Sequence, residues 1–195
     1  RGQLIQGDVH DQGAAMLGGV CGHAGLFANA NDLGVMMQLF MQYGEYGGER
    51  YFKEDVVKYF TSAPYFVSNK NRRGIGFDKP ALENQEGGPT CKCVSELSFG
   101  HSGFTGTLAW ADPETQIIYI FLSNRIYPDA SNMKLLDMNV RTEIMDLIFK
   151  YNKLSEDSLT SSPEYLDNVS SKKNNIKSDT VIEISIKDLK PIYEE

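Results

Sequence analysis

The stretch that decides the fold reads Thr107-Leu108-Ala109-Trp110-Ala111-Asp112-Pro113-Glu114-Thr115-Gln116-Ile117-Ile118-Tyr119-Ile120-Phe121-Leu122. Residues 107–111 and 117–122 read as two strands. Between them, Asp112-Pro113-Glu114-Thr115 is a turn with a mechanism, because Pro113 presets φ and Asp112 caps the turn. Two strands joined this way predict an antiparallel hairpin. The run Ile117-Ile118-Tyr119-Ile120-Phe121-Leu122 is apolar on both faces, which predicts a central strand covered on both sides.

Upstream, residues 97–104 predict a further strand of the same sheet, and Gly74-Ile75-Gly76-Phe77 a strand start. Residues 79–96 are polar, with Gly87, Gly88 and Pro89, and read as a loop. Leu33, Met36, Met37, Phe40 and Met41 recur at the spacing of one helical face, with Asn29 or Asn31 able to cap the start and Gly44 the end. This methionine stripe reads as core packing rather than a cofactor box. A short helix is expected over residues 53–60, before Pro64.

Downstream, Leu136, Val140, Ile144, Leu147, Ile148 and Tyr151 repeat with helical period, and Pro128 with residues 129–132 supplies the start signals. This helix is expected to cover the sheet. The pattern is α+β, an antiparallel sheet flanked by helices. Residues 1–153 read as one structural portion. Residues 154–195 read as a polar tail or linker, with one late strand over 180–186.

Composition bounds the function. The 195 residues and 41% hydrophobic content suit a globular domain, and a net charge of -7 argues against a nucleic-acid partner, which needs a basic face. No apolar run approaches the ~20 residues that span a bilayer. The chain opens on Arg1 with no signal-peptide pattern, so the residues themselves assign no compartment. Cys21, Cys91 and Cys93 are too few and too oddly spaced for a disulfide framework. Cys91-x-Cys93 lacks zinc-site spacing, so these cysteines are expected as thiols, buried or in a loop.

The three histidines, His10, His23 and His101, each sit beside glycines or in polar loops. A lone histidine is more often a hydrogen-bonded structural residue than a catalyst. Familiar catalytic patterns are missing: no G-x-S-x-G elbow, no P-loop, no H-E-x-x-H and no G-x-G-x-x-G after a clean strand.

Two stretches carry a resemblance. The first is Gly7-Asp8-Val9-His10-Asp11, then Ala14-Ala15-Met16-Leu17-Gly18-Gly19-Val20-Cys21-Gly22-His23-Ala24-Gly25-Leu26-Phe27, then Asn31-Asp32-Leu33. It resembles the segment after the second motif of serine hydrolases of the β-lactamase and penicillin-binding-protein type. The second, Phe99-Gly100-His101-Ser102-Gly103-Phe104-Thr105-Gly106, resembles that family's third motif in its His-x-Gly form. Ser123-Asn124-Arg125-Ile126-Tyr127-Pro128 looks like the family's strand end. The likeness covers roughly residues 1–151.

The resemblance implies an incomplete β-lactamase or transpeptidase-like fold and acyl-enzyme chemistry on an ester, amide or β-lactam, possible cell-wall work included. It implies no metal and no organic cofactor, a small-molecule or peptidoglycan-derived substrate, and an exported or periplasmic parent protein. His101, Ser102 and Gly103 would line the cleft, with His10 beside them. The backbone N–H of Phe104 would be an oxyanion donor, a contribution commonly worth about 3–4 kcal/mol.

One departure matters. The family's S-x-x-K nucleophile motif and its Tyr-x-Asn motif do not precede the Gly/His stretch. Ser170-Ser171-Lys172-Lys173 satisfies S-x-x-K but lies downstream of the third motif, where the family places no nucleophile. The expectation is that this chain supplies one wall of a cleft, that the remainder of its domain lies upstream, and that the chain alone turns over no substrate. The rival readings are a non-catalytic module that binds peptide or cell-wall fragments, and an α+β domain of other ancestry.

Overall fold

The computed structural model describes residues 4–82 and 87–160. The chain forms two compact units, Arg1–Tyr151 and Asn152–Glu195. The late strand expected over 180–186 and the Ser170-x-x-Lys173 match lie outside the described residues.

In chain order the elements are α1 (Gln12–Met16), α2 (Ala30–Met41), β1 (Glu45–Tyr46), β2 (Glu49–Arg50), α3 (Glu54–Thr61), α4 (Phe66–Asn69), β3 (Phe99–Ser102), β4 (Leu108–Asp112), β5 (Ile117–Phe121), α5 (Lys134–Asp137) and α6 (Val140–Thr160). Strands β3, β4 and β5 form an antiparallel sheet in that order. The expected hairpin is β4–β5, with Trp110 opposite Tyr119 and Leu108 opposite Phe121. A second hairpin, β1–β2, turns at Gly47 and Gly48, whose φ values of 63° and 84° suit the turn that joins two strands by two residues.

Each face of the larger sheet carries a core. On one side Leu108, Trp110 and Tyr119 pack with Met145 and Phe149 of α6. On the other, Phe99 and Ala111 pack with Met37 and Met41 of α2, so these two methionines of the stripe are core while Met36 is exposed. Alternation along the strands produces both sets, since successive side chains leave opposite faces. Helix α2 begins at Asn29, whose side chain accepts the Asp32 N–H at 2.9 Å. It ends where Gly44, at φ 91°, donates its N–H to Leu39 O at 2.8 Å.

Four expectations need correction. Strand β5 is covered on both faces but lies at the sheet's edge among the described residues, and β4 is central. Apolar content on both faces reports burial of the faces and says nothing of the hydrogen-bonding edge. Gly74–Phe77 is not a strand: Ile75 N–H is bound to Phe60 O at 2.8 Å under α3, and only Asp78 bridges to the sheet. The last helix starts at Val140, and its buried residues are Met145 and Phe149, while Leu147 and Tyr151 are exposed. Finally, Cys91 and Cys93 are joined in a disulfide, with Cα atoms 5.2 Å apart, inside the range such a bridge needs.

Candidate active site

The third-motif residues sit where the sheet has an open edge. In β3, His101 pairs with Ala109 and Ser102 with Leu108. Backbone groups of an antiparallel strand point alternately to either side. Gly100 turns its N–H and C=O away from β4, exchanging bonds of 3.2 and 2.6 Å with Asp78. By the same alternation Ser102 also faces outward, beyond the end of that bridge. Asp78 is held by the two arginines Arg72 and Arg73, at 2.5 and 3.1 Å. One half of the β3 edge is thus plugged; in the other half Ser102 N–H has no protein partner among the described residues, while Ser102 O faces the His101 ring.

After Ser102 the chain turns tightly. Gly103 N–H donates to Thr107 O at 2.8 Å and Gly106 N–H to Gly103 O at 3.0 Å. Gly106 has φ 103°, and a Cβ there would collide with Ser123 Oγ and Leu135. The turn therefore seats directly on the strand-end segment 123–125. Among the described residues, no protein acceptor takes the Phe104 N–H.

The His101 ring is exposed, and its Nδ1 lies 2.7 Å from Ser102 O. A carbonyl only accepts, so Nδ1 carries the proton in this arrangement. Nε2 is then the ring nitrogen that this carbonyl leaves unengaged.

His10 reaches the same turn from the other end of the sequence. Its ring stacks on Phe104, centroids 5.8 Å apart. The Arg125 guanidinium carbon lies 4.9 Å from the Phe104 ring centroid. That guanidinium is anchored on Ala130 O and Asn132 O at 3.2 and 3.1 Å, and Arg125 N–H bonds Thr105 O at 2.9 Å. Beside it lies an open cavity of about 370 Å³ lined by Ser123, Asn124, Arg125, Asn132 and Leu135, among others. So the structure brings His10 and Phe104 together with Arg125, next to the strand that carries His101 and Ser102. It records no contact between His10 and His101 among the described residues.

Two features escape the sequence reading. Arg125 carries no spacing signal, since Arg125 meets Phe104 only through the fold. The other is the pair Asp11–His23. Asp11 accepts the Ala14 N–H at 2.7 Å, capping α1, and also holds His23 Nε2 at 2.9 Å. The Ala14 bond, then the His23 bond, holds the Asp11 carboxyl below its ordinary value. The bond to Asp11, and then one to the Cys21 thiol, raises His23. Contact with the His23 backbone and ring lowers the Cys21 thiol. The Gly/His stretch is therefore stapled onto α1 by a charge-assisted bond.

His-x-Gly on a strand at the sheet's edge, the glycine turn after it and the two-faced α+β sheet are the features that carry the likeness to serine hydrolases of the β-lactamase type. The chain belongs to the β-lactamase family, whose model matches residues 3–140. A protein of Escherichia coli K12 named "Putative D-alanyl-D-alanine carboxypeptidase" is 36% identical over 127 residues, covering 64% of this chain and 28% of that protein. A Salmonella paratyphi B protein of the same name is 33% identical over 137 residues, covering 69% of this chain and 31% of that one. The chain thus spans less than a third of the length of these relatives. The crystal structure of a β-lactamase from Mycobacterium bovis matches the fold with a TM-score of 0.50 at 18% identity, over 66% of this chain and 46% of that one. Among the described residues, no helix is long and apolar enough to cross a membrane.

Proposed function

We propose that this chain forms the third-motif wall of a serine hydrolase active site. In it a serine outside this chain attacks an amide, ester or β-lactam carbonyl. The serine oxygen bonds to the carbonyl carbon, the leaving group departs with a proton, and water then releases the acyl group. The names of the relatives favour a substrate from the cell wall, a peptide ending in D-alanine.

The roles follow from position. The outward Ser102 backbone would pair with the extended substrate. The Phe104 N–H would donate to the oxyanion, a bond worth about 3–4 kcal/mol at the transition state. His101 Nε2 would meet a polar group of the substrate, and Gly103 lets the substrate backbone run close. His10, with Arg125, would hold the Phe104 turn in place. The observation that carries the reading is the outer half-edge of β3, where the Ser102 N–H has no protein partner among the described residues and the chain runs on to the uncommitted Phe104 N–H.

The test is intact-mass spectrometry after incubation with a fluorescent penicillin and, separately, a fluorophosphonate. This chain is expected to take no adduct. The longer parent protein is expected to take one, on a serine upstream of this sequence, and to be acylated at least about tenfold more slowly with His101→Ala. A stoichiometric adduct on this chain alone overturns the proposal. So does a parent protein that takes no adduct, which is what a pure binding module would give.

A further inference from the structure

Away from the β3 edge, the structure gathers three metal-ligating groups that the hydrolase reading does not use. Cys91 and Cys93 lie in the loop before β3 and pack against the core of Leu108, Trp110, Tyr119, Met145 and Phe149. Asp146 sits on α6, next in sequence to Met145. The two sulfurs and an Asp146 carboxylate oxygen all lie within 4.8 Å of one another, and all three residues are half-buried.

We propose that, once reduced, Cys91 and Cys93 form with Asp146 a binding site for a zinc-class cation. Three points support it. The first is size: four ligands at 2.0–2.3 Å in a tetrahedron stand about 3.3–3.8 Å apart, and Asp146 already brings a carboxylate oxygen within 4.8 Å of both sulfurs.

The second is charge. Two thiolates and one carboxylate carry three negative charges. A divalent cation with the Lys150 ammonium, which is bonded to Asp146 Oδ2, restores neutrality. The carboxylate has two oxygens and can serve both partners. The third is environment: an apolar floor keeps water off one side and strengthens the attraction between cation and thiolate. With three protein ligands, the fourth position is open to water or another donor.

The bridge excludes the metal, so the two states compete. A dithiol reductant delivers two electrons and two protons, breaking the sulfur–sulfur bond to two thiols while itself becoming a disulfide. Each thiol then releases its proton as the cation binds. The redox state of the surroundings therefore selects bridge or metal.

The experiment titrates cobalt(II) into protein reduced with a phosphine under anaerobic conditions. One equivalent is expected to raise sulfur-to-cobalt charge-transfer absorption in the near ultraviolet with intense tetrahedral visible bands, and zinc should bleach both. The oxidised protein, which is folded and holds the bridge, should give neither. Cys93→Ser should abolish the bands and Cys21→Ser should leave them unchanged. Asp146→Asn keeps the side chain's shape, so it separates ligand loss from misfolding. It should weaken binding by at least the about 10- to 100-fold that even an outer-sphere partner costs. A reduced protein with only weak octahedral bands overturns the proposal, as does a tetrahedral spectrum indifferent to Cys93→Ser and Asp146→Asn. Bands lost in Cys21→Ser but kept in Cys93→Ser would place the site elsewhere and overturn it equally.

Discussion

The His10 ring lies over the Phe104 ring with their planes 16° from parallel, joining the start of the sequence to the turn after the third motif. This stack and the Arg125 contact are the only ring interactions of Phe104 among the described residues. Because the ring is 66% exposed, the contacts contribute less by area than by geometry. A double-mutant cycle of His10→Ala and Phe104→Leu is expected to give a coupling of about 0.5–1.5 kcal/mol. The His10 ring protons should also lose an upfield ring-current shift in Phe104→Leu. Additive effects with an unmoved His10 resonance would rule the stack out in solution.

The Asp11–His23 pair sets a pH window. His23 is raised above its ordinary 6.5 chiefly by its bond to Asp11, so its contribution to stability is full below 6.5 and fades as pH rises through the folded value. Asp11 is lowered below 3.8 chiefly by the Ala14 N–H, so its contribution is present above 3.8 and fades as pH falls through its folded value. The segment should be firmest between these limits. An NMR titration is expected to find His23 above 6.5 in the wild type and lower in Asp11→Asn than in the wild type. An unchanged midpoint in that variant would exclude the pair.

Lys79 behaves in the opposite sense. Its ammonium donates to Leu97 O at 3.1 Å, and burial pushes its pKa down to about 8 against the pull of Asp112 and Glu96. Between about 8 and 10.5 the unfolded chain holds a proton that the folded one has released, so stability rises with pH there. Urea melts across that interval should show a rising midpoint in the wild type and a flatter one in Lys79→Met. Parallel slopes would show that the lysine is not desolvated.

The two core-facing registers of α6 make different predictions. Met145 is 0% exposed and Leu147 is 66% exposed. Met145→Ala is expected to cost about 2–5 kcal/mol, from lost burial and the cavity left behind. Leu147→Ala should cost less than about 0.5 kcal/mol. Comparable losses by chemical denaturation would mean the helix is turned from the position described.

That contrast shows how far the residues could be read. The period of Leu136 through Tyr151 identifies a helix, but the residues it buries, Met145 and Phe149, lie beside that stripe, while Leu147 and Tyr151 on it are exposed, and only the sheet's position chooses between them. The Asp112–Pro113 turn and the strands on either side were legible because local backbone chemistry dictates them. The order of the strands was not, because apolar faces carry no information about which edge is paired. The third motif stood out by its glycines, and His101, Ser102, Gly103 and Phe104 follow one another in sequence. Arg125 and the Asp11–His23 staple are joined only by tertiary structure. The Cys91–Cys93 bridge escaped for a different reason: framework arithmetic counts loops between distant cysteines and does not see a closure over one intervening residue.

The Asp78 plug acts on the β3 edge as a ruler. An extended chain laid against Ser102 finds its hydrogen-bonding partners there and then meets the side already taken at Gly100 by Asp78 and its two arginines. If substrate pairs at Ser102 as proposed, a longer strand could not slide on to add further rungs, so the same blockage that guards the sheet from pairing with stray polypeptide would also meter the ligand. Molecules with a short extended end would then fit, and the length of the recognised segment would be set by a salt bridge that never touches it.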